Sequence, residues 1–252
     1  MKVIKTIDEF KEIRKNIGDR KIGFVPTMGG LHEGHLSLVQ KSVNENDVTV
    51  VSVYLNPTQF NDKNDLLTYP ADFDDDKELL EKADVDFLFA PTYTEMYPDD
   101  YRYKVTENDL SKLLCGASRP GHFDGVLTVV MKLFNIVKPH NAYFGEKDFQ
   151  QLELLRGMVK AIFIDIKIVA CPKKQKKNGL AISSRNRKLS EKGLKTAPRL
   201  HEILCNDSTL EEKKKELEDA GFTVDYLTVK DKRLFAAAFL ENVRLIDNVE
   251  YK

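Results

Sequence analysis

Two hydrophobic periods alternate along the first two-thirds of the chain. Lys21–Thr27 (KIGFVPT) and Asp47–Leu55 (DVTVVSVYL) are short, largely unbroken apolar runs, as expected of strands buried on both faces. Between them a Gly-rich turn leads into a helix from about His35 to Asn46. This is a βαβ unit, whose right-handed crossover makes its strands parallel. Lys77–Lys82 reads as helix, and Val85–Ala90 as a third strand ended by Pro91. Val126, Val129, Val130, Leu133, Phe134 and Val137 form a helical stripe across Gly125–Val137. Ala142–Gly145 is a brief strand, Phe149–Ile162 a helix, and Asp165–Cys171 a strand stopped by Pro172. The pattern predicts an α/β fold with a Rossmann-like, doubly wound parallel sheet.

After Pro172 the texture changes. Lys173–Asn178 (KKQKKN) is a solvated basic loop, and no further βαβ pattern follows. A charged helix near Leu210–Ala220 precedes short strands near Thr223–Val229 and Val243–Ile246. We therefore expect residues 1–177 to form the Rossmann-like domain and residues 178–252 a small C-terminal α+β lid.

Composition narrows the function classes. The 252 residues carry 39 Lys and Arg against 40 Asp and Glu, a net charge of −1. That balance excludes a basic nucleic-acid coat and gives no general attraction to anionic membrane. The charge is unevenly spread: residues 1–172 hold 21 basic and 27 acidic side chains, residues 173–252 hold 18 and 13. Chance surface composition explains that split unless an anion sits between the halves. Cys115, Cys171 and Cys205 are odd in number and far apart, so neither a disulfide framework nor a zinc site is expected. With no signal-like N-terminus and no long apolar run, a cytoplasmic protein is the expectation.

In an open α/β sheet, ligands bind beyond the C-terminal strand ends, and several motifs fall there. TMGGLHEGH (Thr27–His35) puts a Gly-Gly turn and two histidines three residues apart at a helix start. Free N–H groups there suit phosphate, although metal ligation or capping would also use a histidine pair. NPTQF (Asn56–Phe60) offers two amides, which suit hydroxyls and carboxylates; alone it reads as an ordinary turn. GEKDFQQ (Gly145–Gln151) brings a lysine to a strand end, with helix-start charge capping an equal alternative. GLAISSRN (Gly179–Asn186) is a phosphate clamp or a surface tripeptide, and Arg119 and His122 lie on another loop.

Taken in order, these segments, with Thr68–Pro70 (TYP), RPGHFDGV (119–126) and KPHNAYFGEKDFQQL (138–152), resemble the pantothenate synthetase family. That family lies within the nucleotidylyltransferase superfamily, whose mark is HxGH followed by Ser-Ser-Arg. The likeness runs from Lys21 to about Leu189 and resumes at VRLIDN (243–248). It implies a two-step ligase. Pantoate's carboxylate attacks the α-phosphate of ATP to give pantoyl adenylate and pyrophosphate, and β-alanine then displaces AMP. The product belongs to pantothenate biosynthesis and the coenzyme A pathway, and no cysteine is required.

By position, the resemblance assigns the ATP site to Met28, Gly29, Gly30, Leu31, His32, Glu33, Gly34, His35, Gly145, Glu146, Lys147, Asp148, Lys174 and Ile182. His35 would assist pyrophosphate departure with His32 beside it, Lys147 would meet the α-phosphate, and Ser183, Ser184 and Arg185 would grip the outer phosphates. Gln59 and Gln151 would hold pantoate, with Asn56, Tyr69, Arg119 and His122 around the substrates. Mg²⁺ would travel with ATP, and a homodimer is implied. Asp72–Asp76 is taken as a solvated helix start rather than as catalytic help from Asp75 and Asp76. Departures from the family pattern are Lys174, Asn178 and Ala71, and the C-terminal region reads as shorter than usual. The rival within the enzyme class is a nucleotidylyltransferase acting on a phosphorylated small molecule, which would leave NPTQF and FGEKDFQQ without a purpose.

Overall fold

The computed structural model describes residues 1–251 and contains two sheets. The first has six strands: β1 (Lys2–Ile4), β2 (Ile22–Thr27), β3 (Val48–Val53), β4 (Phe87–Phe89), β5 (Asn141–Gly145) and β6 (Lys167–Cys171). All pair in parallel, in the order β1-β4-β3-β2-β5-β6. The expected doubly wound α/β sheet is thus present.

Alternate residues of the central strands feed separate cores. Phe24, Val50, Ala142 and Phe144 join one cluster, while Val25, Val51 and Tyr143 join another. That is the period-two consequence of a sheet covered on both faces, and it explains why these strands read as unbroken apolar runs. Helix His122–Val137 packs in the first cluster and helix Glu33–Glu45 in the second.

The strand order reverses between β2 and β5. These two are paired only at Gly23–Asn141 and Phe24–Ala142, whereas β2–β3 pairing runs the full six residues and β5–β6 pairing all five. Beyond Phe24 the central strands part, so a crevice opens at their C-terminal ends, where ligands bind in open α/β sheets.

The first twenty residues, for which the sequence pattern predicts no element, hold β1 and helix Ile7–Ile17. Thr6 caps that helix by accepting the Glu9 N–H. The structure also places helices at Glu191–Thr196 and Arg199–Cys205, and a strand at Arg233–Leu240, that were not anticipated.

That strand, β8, is central in an antiparallel meander between β7 (Thr223–Lys230) and β9 (Val243–Glu250). It is buried along most of its length, so FAAAF shows no alternation and its alanines argue against a strand. The turns Asp231–Lys232 and Glu241–Asn242 have φ of 49°, 58°, 51° and 64°, the left-handed pairing of tight hairpins. A third apolar cluster runs from Leu180 to Leu245 and shares no buried member with the other two. Among the described residues no helix is long and apolar enough to cross a membrane.

Candidate active site

The turn after β2 is shaped by two glycines and one carboxylate. Gly29 and Gly30 have φ of 82° and 65°, and a Cβ on Gly29 would lie 2.8 Å from Asp76 Oδ2. The Gly30 N–H donates to Asp76 Oδ2 at 2.9 Å and the Leu31 N–H to Oδ1 at 2.7 Å. Asp76 is 2% exposed, which corrects its reading as part of a solvated helix start. Its carboxylate is a structural anchor, because a charge buried there must be met by donors and two backbone N–H groups supply them.

The turn delivers His32 to the N-cap of helix Glu33–Glu45. Its Nδ1 accepts the Gly34 N–H at 3.1 Å, so in the neutral ring the proton sits on Nε2. His35 stacks on it with ring centroids 4.0 Å apart. Burial, then the charges of Lys147 and Arg187, lower His32 to about 4. Burial, then His32 and Lys147, lower His35 to about 3. Both imidazoles are therefore neutral at pH 7 before a ligand arrives. Each carries one N–H to donate, at a helix end that already favours anions.

A cavity of about 230 Å³ occupies the crevice. Its lining includes Met28, His32, Gly34, His35, Asn56, Gln59, Tyr69, Arg119, His122, Gly145, Lys147, Asp148, Gln151, Lys174, Ile182, Ser183, Ser184 and Arg185. Most of the residues singled out from sequence thus come together. Gly29, Gly30, Leu31, Glu33 and Glu146 do not line it. The Leu31 side chain packs in the core with Val25 and Leu80, and Glu33 is exposed on the helix's first turn. Val126, Val129, Val130, Leu133 and Phe144 make an apolar wall that includes the Tyr54 hydroxyl, a buried group without a partner.

The Asn56 amide, although at the cavity, is engaged entirely by the protein itself. The residue is 1% exposed, and its Nδ2 donates to Gln59 Oε1 (2.9 Å) and the Gly125 carbonyl (3.2 Å). Its Oδ1 accepts from Thr58 and Tyr97, both at 2.9 Å. With every group of that amide engaged, its effect is to fix the Gln59 amide, whose Nε2 then turns to Met28 Sδ at 3.0 Å.

The Gln59 carbonyl accepts from His122 Nδ1 (2.8 Å) and Arg119 Nη2 (3.2 Å). His122 Nε2 is left to accept from Arg119 Nη1 at 3.1 Å, which needs a neutral ring. Burial and then Arg119 push His122 down to about 3, in agreement. The adjacent Gln150 and Gln151 have different surroundings. Gln150 is tied to the Leu110 and Leu113 carbonyls and the Cys115 N–H, while Gln151 lines the cavity.

The Ser-Ser-Arg segment reaches the crevice from the C-terminal part of the chain. Ser184 Oγ donates to the Tyr69 hydroxyl at 3.2 Å, and Arg185 Nη2 donates to Asp65 Oδ2 at 2.9 Å. Lys188 binds the other Asp65 oxygen at 2.9 Å. Burial works against the Asp65 charge, but hydrogen bonds from Arg185 and then Lys188 hold its pKa below the ordinary value. Arg187 donates to the Leu31 carbonyl at 3.3 Å, bracing the His32 turn. The Lys174 side chain is exposed and its carbonyl accepts the Ile182 N–H at 3.1 Å. Asp65 and Arg187 have no functional signal in the sequence, since each acts through partners distant in the chain.

An α/β crevice at a strand-order reversal, with neutral imidazoles at a helix N-terminus and a cationic Ser-Ser-Arg arm, defines a nucleotide-binding enzyme class rather than a structural domain. The chain belongs to the pantoate-beta-alanine ligase family, whose model matches residues 2–250. It is 51% identical to a pantothenate synthetase of Bdellovibrio bacteriovorus over 98% of both chains. To one of Coxiella burnetii it is 47% identical over 99% of this chain and 97% of the relative. A solved pantoate-beta-alanine ligase of Francisella tularensis, complexed with beta-gamma ATP and beta-alanine, superposes with a TM-score of 0.95. The identity there is 44%, over 99% of this chain and 97% of that one. The pantothenate synthetase of Thermus thermophilus gives a TM-score of 0.91 at 40% identity over the whole of both chains. The match extends over nearly the whole length of each of these relatives.

Proposed function

We propose that the chain condenses pantoate with β-alanine using ATP, through pantoyl adenylate, releasing AMP and pyrophosphate. The observation that carries this reading is one cavity combining an apolar wall (Val129, Val130, Leu133, Phe144), amides at Gln59 and Gln151, and a cationic wall at Lys147 and Arg185. That combination suits a branched hydroxy acid whose carboxylate must meet a polyphosphate.

The chemistry needs no protein nucleophile. A carboxylate lacks a usable leaving group, and transfer of AMP supplies one; the second step is amine attack on the activated carbonyl. The protein aligns the carboxylate with the α-phosphorus and meets charge as it develops. Lys147 is assigned to the α-phosphate, and Ser183, Ser184 and Arg185 to the outer phosphates. His32 and His35 act as neutral N–H donors, and proton donation by His35 to departing pyrophosphate requires ATP's negative charge to raise its pKa. Gln59, oriented by Asn56, and Gln151 are assigned to pantoate.

Mg²⁺ is proposed to enter on ATP's phosphates. Among the described residues no three His, Cys, Asp or Glu side chains converge to hold a metal ion, so the ion would be held chiefly by ATP's phosphate oxygens and water. We further propose residues 178–252 as a lid, a homodimeric assembly and a cytoplasmic location, the last supported by three unpaired cysteines. Purified protein given ATP, Mg²⁺, pantoate and β-alanine should yield AMP and pantothenate in equal amounts. No AMP and no pantothenate would reject the reading, and a nucleotide-linked product would favour nucleotidyl transfer.

A further inference from the structure

The C-terminal strand β9 is tied by side chains to the loops that follow β5 and β6. Asn248 is 3% exposed, and its Nδ2 donates to the carbonyls of Glu146 and Lys147, both at 3.0 Å. Its Oδ1 accepts from Arg233 Nη1 at 2.7 Å. Only one orientation of the amide satisfies this environment, because two carbonyls demand donors and a guanidinium demands an acceptor. Arg233 in turn lies 4.0 Å over the ring of Phe149, the residue that opens the helix after Lys147.

The neighbouring Asp247 clamps the next loop. Its side chain is buried and receives Lys173 Nζ at 2.6 Å and His201 Nδ1 at 2.7 Å. Lys173 Nζ also donates to the Asn248 carbonyl at 2.6 Å. The Lys173 ammonium and the His201 imidazole meet one buried carboxylate, so β9 is tied to the loop after β6 while the Asn248 amide reaches the Lys147 backbone.

We infer that Asn248 is a positioning residue for adenylation: it sets the backbone from which Lys147 projects, and so couples the seating of the C-terminal sheet to the α-phosphate contact. Asn248 lines the cleft of about 810 Å³ together with Lys147, but both ends of its amide are engaged by Arg233 and by the Glu146 and Lys147 carbonyls, so its action is through Lys147. The inference rests on the proposed meeting of Lys147 with the α-phosphate. In the second step AMP leaves through the oxygen bridging acyl carbon and phosphorus, so Lys147 contributes there too. Only in the first does the phosphorus itself change partners, so a displaced lysine weighs on both steps and more heavily on adenylation.

The test compares two half-reactions in one sample, because their ratio is independent of the fraction of folded protein. Pantoate-dependent exchange of labelled pyrophosphate into ATP reads adenylation, and conversion of supplied pantoyl adenylate by β-alanine reads aminolysis. Asn248→Asp keeps size and the Arg233 bond but turns an oxygen toward two carbonyls, and Asn248→Ala removes the amide. Both should lower the exchange-to-aminolysis ratio by about 10- to 100-fold, the range expected for a misplacement near 1 Å. A wild-type ratio in both variants, with exchange abolished in Lys147→Ala, overturns the role of Asn248 and leaves that of Lys147 standing. Undiminished exchange in Lys147→Ala overturns the role of Lys147 and the inference with it.

Discussion

Asp76 Oδ1 stands 2.7 Å from the backbone nitrogen of Leu31, and the same carboxylate takes the Gly30 N–H on its other oxygen. A side chain on the helix Phe73–Lys82 thereby casts the turn that sets His32 at its helix cap. In Asp76→Asn one of the two N–H groups faces an amide nitrogen that can only donate. Such a loss in a buried site costs about 1–3 kcal/mol, more where a charge was involved. Urea unfolding should report that loss, with ATP turnover falling more than pantoate affinity. Unchanged stability would mean the turn holds its shape without the carboxylate.

The three lowered histidines give a pH signature. His32, His35 and His122 lie at about 4, 3 and 3 in the folded chain, against an ordinary value of 6.5. As pH falls below 6.5 the unfolded chain binds protons that the folded one refuses. The stability these groups contribute is present above pH 6.5 and is lost on acidification toward 4, at about 1.4 kcal/mol per pH unit for each proton fully excluded. The partly exposed His32 contributes less than the buried His122. Unfolding midpoints between pH 7 and 4.5 should fall steeply, and His122→Gln should flatten that slope by about one proton. An unaltered slope would place the proton uptake elsewhere.

Asp65 occupies Arg185, assigned to the outer phosphates, and Lys188 three residues on. An arriving polyphosphate must compete with that carboxylate. Asp65→Asn should therefore lower KM for ATP, by about five-fold if the partly exposed pairs are worth roughly 1 kcal/mol, and the gain should shrink as salt rises. A raised KM would show instead that Asp65 aligns Arg185 for its ligand.

What the sequence exposed and what it concealed divide along physical lines. β2 and β3 were legible because burial on both faces leaves apolar runs, and the motifs gained meaning by falling at strand ends. Helix Ile7–Ile17 sets Ile7, Phe10, Ile13 and Ile17 along one face, a stripe too short and too interrupted by charge to stand out beside the βαβ pattern. β8 offered no alternation to read. Asp76 and Leu31 are 45 positions apart, and Asp65 and Arg185 are 120 apart, so neither pairing has a local signature. Gln150 and Gln151 differ by one helical step, which sends the first into the 110–115 loop and the second to the cavity. No pattern on the chain distinguishes them without the loop's position.

The packing of helix His122–Val137 against the turn at Asn56–Gln59 supplies the last prediction. A Cβ on Gly125 would lie 2.5 Å from the Thr58 carbonyl oxygen and 2.7 Å from the Gln59 nitrogen, both backbone atoms with little room to move. Gly125 also presents the carbonyl that accepts Asn56 Nδ2. Gly125→Ala must push the turn away from the helix, which loosens Asn56 and releases the Gln59 amide from its set direction. Overpacking of this kind costs about 1–3 kcal/mol of stability. KM for pantoate should rise about ten-fold or more while KM for ATP changes little, because the His32 turn lies on a different strand end. Asn56→Ala, which removes the amide but leaves the close approach of Gly125 to Thr58 unchanged, should reproduce the pantoate defect. Equal losses for both substrates would show that the turn supports the whole crevice rather than Gln59 alone.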